Sequence, residues 1–195
     1  QKVEHDFLWL YRRNQEMPAD AQRDPAIRDI KQKLTNEILA LRDQINQDDG
    51  FVTYKTLVGF ESVFPPAWDN LDFEVSAEQA YRDGEIQRLA EGVDERNADR
   101  WFGIIRRCAQ TKSNDSATFP SFGKFLEQLA TKKPAIALRY LDDIDGDPEP
   151  FIPALLSGLE VSAAESVKAK LAAWVADKRH LQSILWSYRF SPSSA

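Results

Sequence analysis

One stretch, residues 119–159, limits what this chain can fold into more than any other: FPSFGKFLEQLATKKPAIALRYLDDIDGDPEPFIPALLSGL. Apolar residues recur at helical spacing in Phe122, Phe125, Leu126 and Leu129, and again in Ile136, Leu138 and Leu141. The pattern breaks at Lys132-Lys133-Pro134 and through Asp142 to Pro150, where proline lacks an amide hydrogen and clashes with the turn before it. The three resulting helices are short, and helix nucleation is too costly for such pieces to persist alone in water. They must stack on one another and on their neighbours.

The flanking sequence follows the same logic. Residues 4–16 predict an amphipathic helix with Phe7, Leu10 and Tyr11 on one side. Asp24-Pro25 supplies an N-cap and a proline suited to the first helical turn. Ile27, Ile30, Leu34, Ile38, Leu41 and Ile45 then step by three and four up to Asp48-Asp49-Gly50, where the helix is expected to stop. This stripe fits a coiled-coil seam or one face of a globular helix, and its length of barely three heptads favours the second. Residues 51–63 lean towards strand in composition, yet no second strand offers to pair with them, so a helix is expected. A loop rich in proline and aspartate, residues 65–75, is the natural boundary, with Trp68 and Leu71 tucking it down. Ser76-Ala-Glu-Gln79 and Ser162-Ala-Ala-Glu165 read as capping boxes at the heads of two further helices. The organisation expected is N-terminal helices over 1–64, the loop over 65–75, a helical region over 76–190 and a disordered tail over 191–195. Trp101, Phe125, Leu129, Leu138, Leu155, Leu171 and Trp174 are the expected core of the helical region.

Counted from residue 76, helix starts fall near 77, 98, 119, 134, 150, 163 and 178, which pair into units of about 30 to 40 residues. In this pairing and in its short proline-led helices, the region 76–190 resembles HEAT-like and tetratricopeptide-like helical repeats. The tryptophan–leucine–glycine–tyrosine spacing of a tetratricopeptide unit is absent, so the resemblance is one of class. It implies an all-α fold of antiparallel hairpins stacked as a short irregular α-solenoid, with an irregular helical bundle as the alternative. Eight glycines in 195 residues agree with a helical chain.

Several chemistries lack their residues. One cysteine, Cys108, excludes an internal disulfide, and its spacing from Trp101, Ile104 and Ile105 predicts a core thiol. His5 and His180 read as surface histidines. Asp143, Asp145 and Asp147 alternate as in a calcium loop, but Pro148 stands where the sharp turn needs glycine and Ala154 where the bidentate glutamate belongs. No phosphate-cradling glycine loop, zinc helix or nucleophile elbow occurs. No metal, cofactor or catalytic residue is therefore assigned. Asn114-Asp-Ser116 fits a glycosylation acceptor. No apolar run approaches the length of a membrane span, and residues 1–16 are charged where an export signal would be apolar. With the low cysteine content, this sets the expectation of a cytoplasmic module cut from a longer protein.

Charge is distributed unevenly. Residues 96–139 hold nine basic groups (Arg96, Arg100, Arg106, Arg107, Lys112, Lys124, Lys132, Lys133, Arg139) against Asp99, Asp115 and Glu127, a net +6 inside a chain of −6. Such asymmetry marks either a face for an acidic partner or internal pairing with the acidic turn at 142–149 and the acidic helices before 96. The expected function is a non-catalytic helical interaction module docking a protein partner through Arg96, Arg100, Arg107, Lys132 and Lys133. A nucleic-acid or phosphate-binding helical domain using the same segment is the first alternative. A regulatory or enzymatic domain with an unrecognised site is the second. The oligomeric state is not legible.

Overall fold

The computed structural model describes residues 1–16, 18, 24–59, 62–70, 75–113 and 118–190, apart from the side chains of 188–190. The described residues form eleven α-helices and no strand: α1 (Lys2–Gln15), α2 (Pro25–Ile45), α3 (Asp49–Leu57), α4 (Pro65–Asp69), α5 (Val75–Glu91), α6 (Ala98–Ala109), α7 (Pro120–Lys132), α8 (Pro134–Asp143), α9 (Ile152–Ser162), α10 (Ala164–Ala176) and α11 (Leu181–Phe190). A 3₁₀ turn, Glu149–Phe151, precedes α9. The all-α expectation holds. Proline stands in the first two positions of α2, α4, α7, α8 and α9. There its missing N–H would have had no partner and its fixed φ is already helical. The prolines that interrupt the sequence pattern are thus the starts of helices.

The chain divides into two compact units, Gln1–Asp83 and Gly84–Ala195, so the division falls inside α5 rather than in the expected loop. Part of that loop is helical: Pro65–Asp69 forms α4, with Ala67 and Trp68 buried. Leu71 and the tail 191–195 lie outside the described residues, as does Asn114.

In the first unit, Leu8, Ile38, Val63, Ala67 and Trp68 form the core, with Phe7, Tyr11, Leu34 and Leu39 packed against it. The Asp24 carboxylate accepts from Ala26 N at 2.8 Å, the cap expected for α2. Asp48 caps α3 by accepting from Gly50 N and Phe51 N, so Asp49 and Gly50 start the next helix instead of only ending α2. This unit also buries an unusual set of polar side chains: Glu4, Arg12, Asn14, Lys55 and Thr56.

The second unit is apolar inside. Phe122, Phe125, Leu126 and Leu129 on α7 are fully buried, as are Leu141 on α8 and Ile152 and Leu159 on α9. Trp101 of α6 stacks on Phe125 at 5.3 Å between centroids, and Phe102 stacks on Tyr140 at 4.9 Å. The Tyr140 hydroxyl donates to Ala98 O at 2.7 Å, fastening α8 to the start of α6. α7 and α9 approach so closely that a Cβ on Gly158 would collide with the Glu127 carbonyl. Ser162 Oγ donates to Ala130 O at 3.0 Å along the same seam. That bond corrects the second capping box: Ser162 closes α9, and α10 starts without a side-chain cap. The first box shifts as well, since α5 begins at Val75 and Ser76 lies inside its first turn. Of the expected core, Phe125, Leu129, Leu155 and Trp174 are buried, while Trp101, Leu138 and Leu171 are half-buried.

Candidate functional site

Three places gather side chains capable of recognition or chemistry, and they differ in how completely those side chains are already engaged.

The basic segment comes first. Of the residues expected to meet a partner, Arg96 pairs with Asp94 at 3.2 Å, and Lys132 pairs with Glu91 at the end of α5. Lys133, between α7 and α8, adds to the positive field at Glu91. The hydrogen bond from Lys132 is the leading reason the Glu91 carboxyl lies below its ordinary range. Arg139 reaches Asp99 at 3.0 Å and Glu95 at 3.7 Å. Arg106 lies over the Phe102 ring and donates to Asp143 O and to the Asp145 carboxylate, both at 3.2 Å. Apart from Asp99, the acids that pair with this segment thus stand just outside it in sequence, at 91, 94 and 95 and at 145. Arg100 and Arg107 are different. Both are exposed and have no hydrogen bond or ion pair among the described residues. Seven residues apart, they share one edge of α6. Gly103 lies between them on that edge, exposed, with nothing near the position a Cβ would take. The edge is therefore an open strip about 10 Å long carrying two cations.

The second place is a cleft of about 420 Å³ in the first unit. Its floor is a buried ion pair that joins α1 to α3. Lys55 Nζ donates to Glu4 Oε1 at 2.8 Å, to Asn46 Oδ1 at 2.6 Å and to Val63 O at 2.7 Å. Asn46 Nδ2 donates in turn to Glu4 Oε1 at 2.7 Å. Side-chain exposure is 3% for Lys55 and 1% for Glu4. Burial lowers the Lys55 pKa from its ordinary value, and the hydrogen bond and charge of Glu4 oppose that shift. A buried amine in a cleft invites a nucleophilic reading. Here, however, all three ammonium protons have acceptors, so the nitrogen has no lone pair to offer while the pair stands. Its role in this geometry is to hold α1, α2 and α3 together. Sequence reasoning passed over this pair, although Glu4 shares the apolar face of α1 with Leu8 and Tyr11 at i+4 and i+7. A charge placed on a buried face was the available signal.

The third is a cleft of about 740 Å³ in the second unit, between the turn at Gly146–Pro153 and the start of α11. His180 lines it, and the expectation of a surface histidine is corrected: its side chain is only 6% exposed. The ring meets Trp174 edge-on at 4.8 Å, and Nδ1 lies 3.6 Å from Glu149 Oε1. A left-handed backbone, φ 50°, turns the chain from α10 into α11 at this residue. His5 stays at the surface of α1, accepting from Trp9 Nε1 at 3.1 Å. Cys108 is buried, and desolvation pushes its thiol up to about 12, which keeps it protonated. No group of three or more acidic, histidine or cysteine side chains among the described residues is arranged to hold a metal ion. No described helix is long and apolar enough to cross a membrane.

No family model matches the chain, and neither a curated protein nor a solved structure does.

Proposed function

We propose that the second unit is a short α-solenoid working as a non-catalytic docking module, and that Arg100 and Arg107 on the open edge of α6 receive a carboxylate-rich segment of a protein partner. The solenoid reading rests on which helices touch. α7 packs on α8 and on α9, and α9 packs on α10 and α11. α6 meets α8 through Tyr140 and Arg139, and α8 meets α10 through the Asp142–Lys170 pair. Each helix thus contacts the next but one as well as its hairpin partner, the neighbour pattern of stacked hairpins.

The single observation carrying the docking reading is the selective pairing of the basic segment. Arg96, Arg106, Lys132 and Arg139 each have a carboxylate, while Arg100 and Arg107 have none and are exposed together. Two unspent guanidiniums suit bidentate capture of carboxylates. Two are few for nucleic acid, where a salt slope of about −0.9 per neutralised phosphate would leave a shallow dependence and weak binding. The test is fluorescence anisotropy of a labelled oligo-glutamate peptide and of a mixed-sequence oligonucleotide, both at low salt, against the wild type and Arg100→Glu/Arg107→Glu. Peptide binding that falls about tenfold or more in the variant supports the reading. Peptide binding unchanged by the variant, or an oligonucleotide bound more tightly than the peptide with a steep salt slope, overturns it.

A further inference from the structure

The clearest apolar period in the sequence is only partly used by the unit that contains it. On α2, Ile38 is buried in the core, yet Ile30 is 64% exposed and Leu41 39%. Ile27, Leu34 and Ile45 are half-buried. At about 100° per residue, Ile30, Leu34 and Leu41 fall within about 40° of one another and form a straight ridge. Ile38 and Thr35 lie further round the helix, where Ile38 enters the core and Thr35 receives a hydrogen bond from Asn14 of α1. Helix α1 therefore covers one flank of the stripe and leaves Ile30 and Leu41 to solvent, with Leu34 half-buried between them. Two charged residues border the ridge on its outer edge, one turn apart: Lys33, paired at 2.8 Å with exposed Asp29, and exposed Glu37.

The order of these residues along the helix is what points to an occupant. The midpoint between Ile30 and Leu41 falls between Thr35 and Asn36, and the midpoint between Lys33 and Glu37 falls beside it, at Thr35. A ridge with that arrangement is complementary to itself when reversed. We propose that the α2 ridge pairs antiparallel with the α2 ridge of a second copy of this chain, about a two-fold axis near Thr35–Asn36. Ile30 of each copy then faces Leu41 of the other, and Lys33 lies within one residue of the other copy's Glu37. Every contact occurs twice, as an isologous interface requires. The apolar ridge provides the burial, and the Lys33–Glu37 pairs fix direction and register, the division of labour found in helix pairs generally. This inference is independent of the reading given to Arg100 and Arg107.

Sedimentation velocity on the intact chain up to about 0.1 mM tests it. The expected species has twice the 22.2 kDa chain mass. Ile30→Glu should abolish it while leaving the circular-dichroism melt in place, since Ile30 is exposed. Lys33→Glu and Glu37→Lys should each weaken self-association, because each sets like charges against one another twice. An equimolar mixture of these two variants should recover it as a mixed dimer with opposite charges restored. A wild-type chain that remains monomeric at that concentration, a dimer untouched by Ile30→Glu, or a mixture no tighter than its components overturns the proposal.

Discussion

The two units of this chain are both all-helical, yet they are held together by different physics. The second is closed by apolar packing: among its described residues, Thr118, Ser121 and the ring of His180 are the few polar groups taken inside, against a long run of fully buried phenylalanine, leucine and isoleucine. The first buries a glutamate, an arginine, an asparagine, a lysine and a threonine beside a smaller apolar cluster. Its helices are fastened to one another by polar side chains that reach across long sequence separations. Glu4 reaches Lys55, Arg12 donates to Ala67 O at 2.9 Å and Asn14 donates to Lys31 O at 3.1 Å. The comparison shows what each kind of interior demands. An apolar core tolerates imprecise partners and loses energy in proportion to the volume removed. A buried polar network is favourable only while every member is satisfied, so it fails abruptly when one is taken away.

That contrast sets an order of expected effects. Lys55→Ala leaves Glu4 buried without a counter-ion and should destabilise the first unit by about 3–5 kcal/mol, read by chemical denaturation. Replacing both partners by apolar residues, Glu4→Leu/Lys55→Met, should recover much of that loss; a double variant as unstable as the single would break the comparison. Leu129→Ala in the second unit should cost about 2–5 kcal/mol, scaling with the cavity left behind. It should also accelerate alkylation of Cys108, because opening this unit is what exposes the thiol. If labelling stays at the wild-type rate, the apolar core is not what protects it.

Alkaline pH separates the units by sign. Cys108 and Tyr140 are raised by burial from ordinary values of 9.0 and 10.0 to about 12. Between those values the unfolded chain has lost protons that the folded second unit keeps, so its stability is full below about pH 9 and declines towards pH 12. Lys55 is lowered by burial, so in the window below its ordinary 10.5 the unfolded chain holds the extra proton. Its contribution to the first unit therefore rises with pH across that window. Thermal melts followed by Cys108 labelling in wild type and Lys55→Met should resolve the two trends, and parallel trends would contradict the assignments. The smallest effect is expected at the surface of α6: Arg100→Glu/Arg107→Glu should shift stability by about 0.5 kcal/mol or less, since neither side chain has a partner to lose.

Much of the second unit was legible in the chain before its structure. The helical period of Phe122, Phe125, Leu126 and Leu129, the proline-led helix starts and the burial of Trp174 follow from local pattern and steric rules that act within a few residues. The Asp24 cap of α2 was legible for the same reason. Pro65-Pro66 misled because the same residues that break a helix interior also begin one, and composition alone does not say which. Ser162 misled because its hydroxyl donates to the Ala130 carbonyl on another helix and to Gly158 O of α9 instead of capping α10.

What only the tertiary structure decided are the pairings across long sequence separations. Glu4 and Lys55 stand 51 residues apart, and nothing local distinguishes them from solvated charges except their place on apolar faces. The +6 of residues 96–139 allowed either a partner face or internal pairing; in the structure Glu91, Asp94, Glu95 and Asp145 answer four of its cations, while Arg100 and Arg107 stand without a carboxylate among the described residues, on an open edge. His180 moved from surface to interior because a left-handed turn folds it under Trp174. Backbone preference and hydrophobic period are properties of a few neighbouring residues and can be read from them. Coulombic pairing and burial depend on distance in space, which the sequence sets only after the helices have packed.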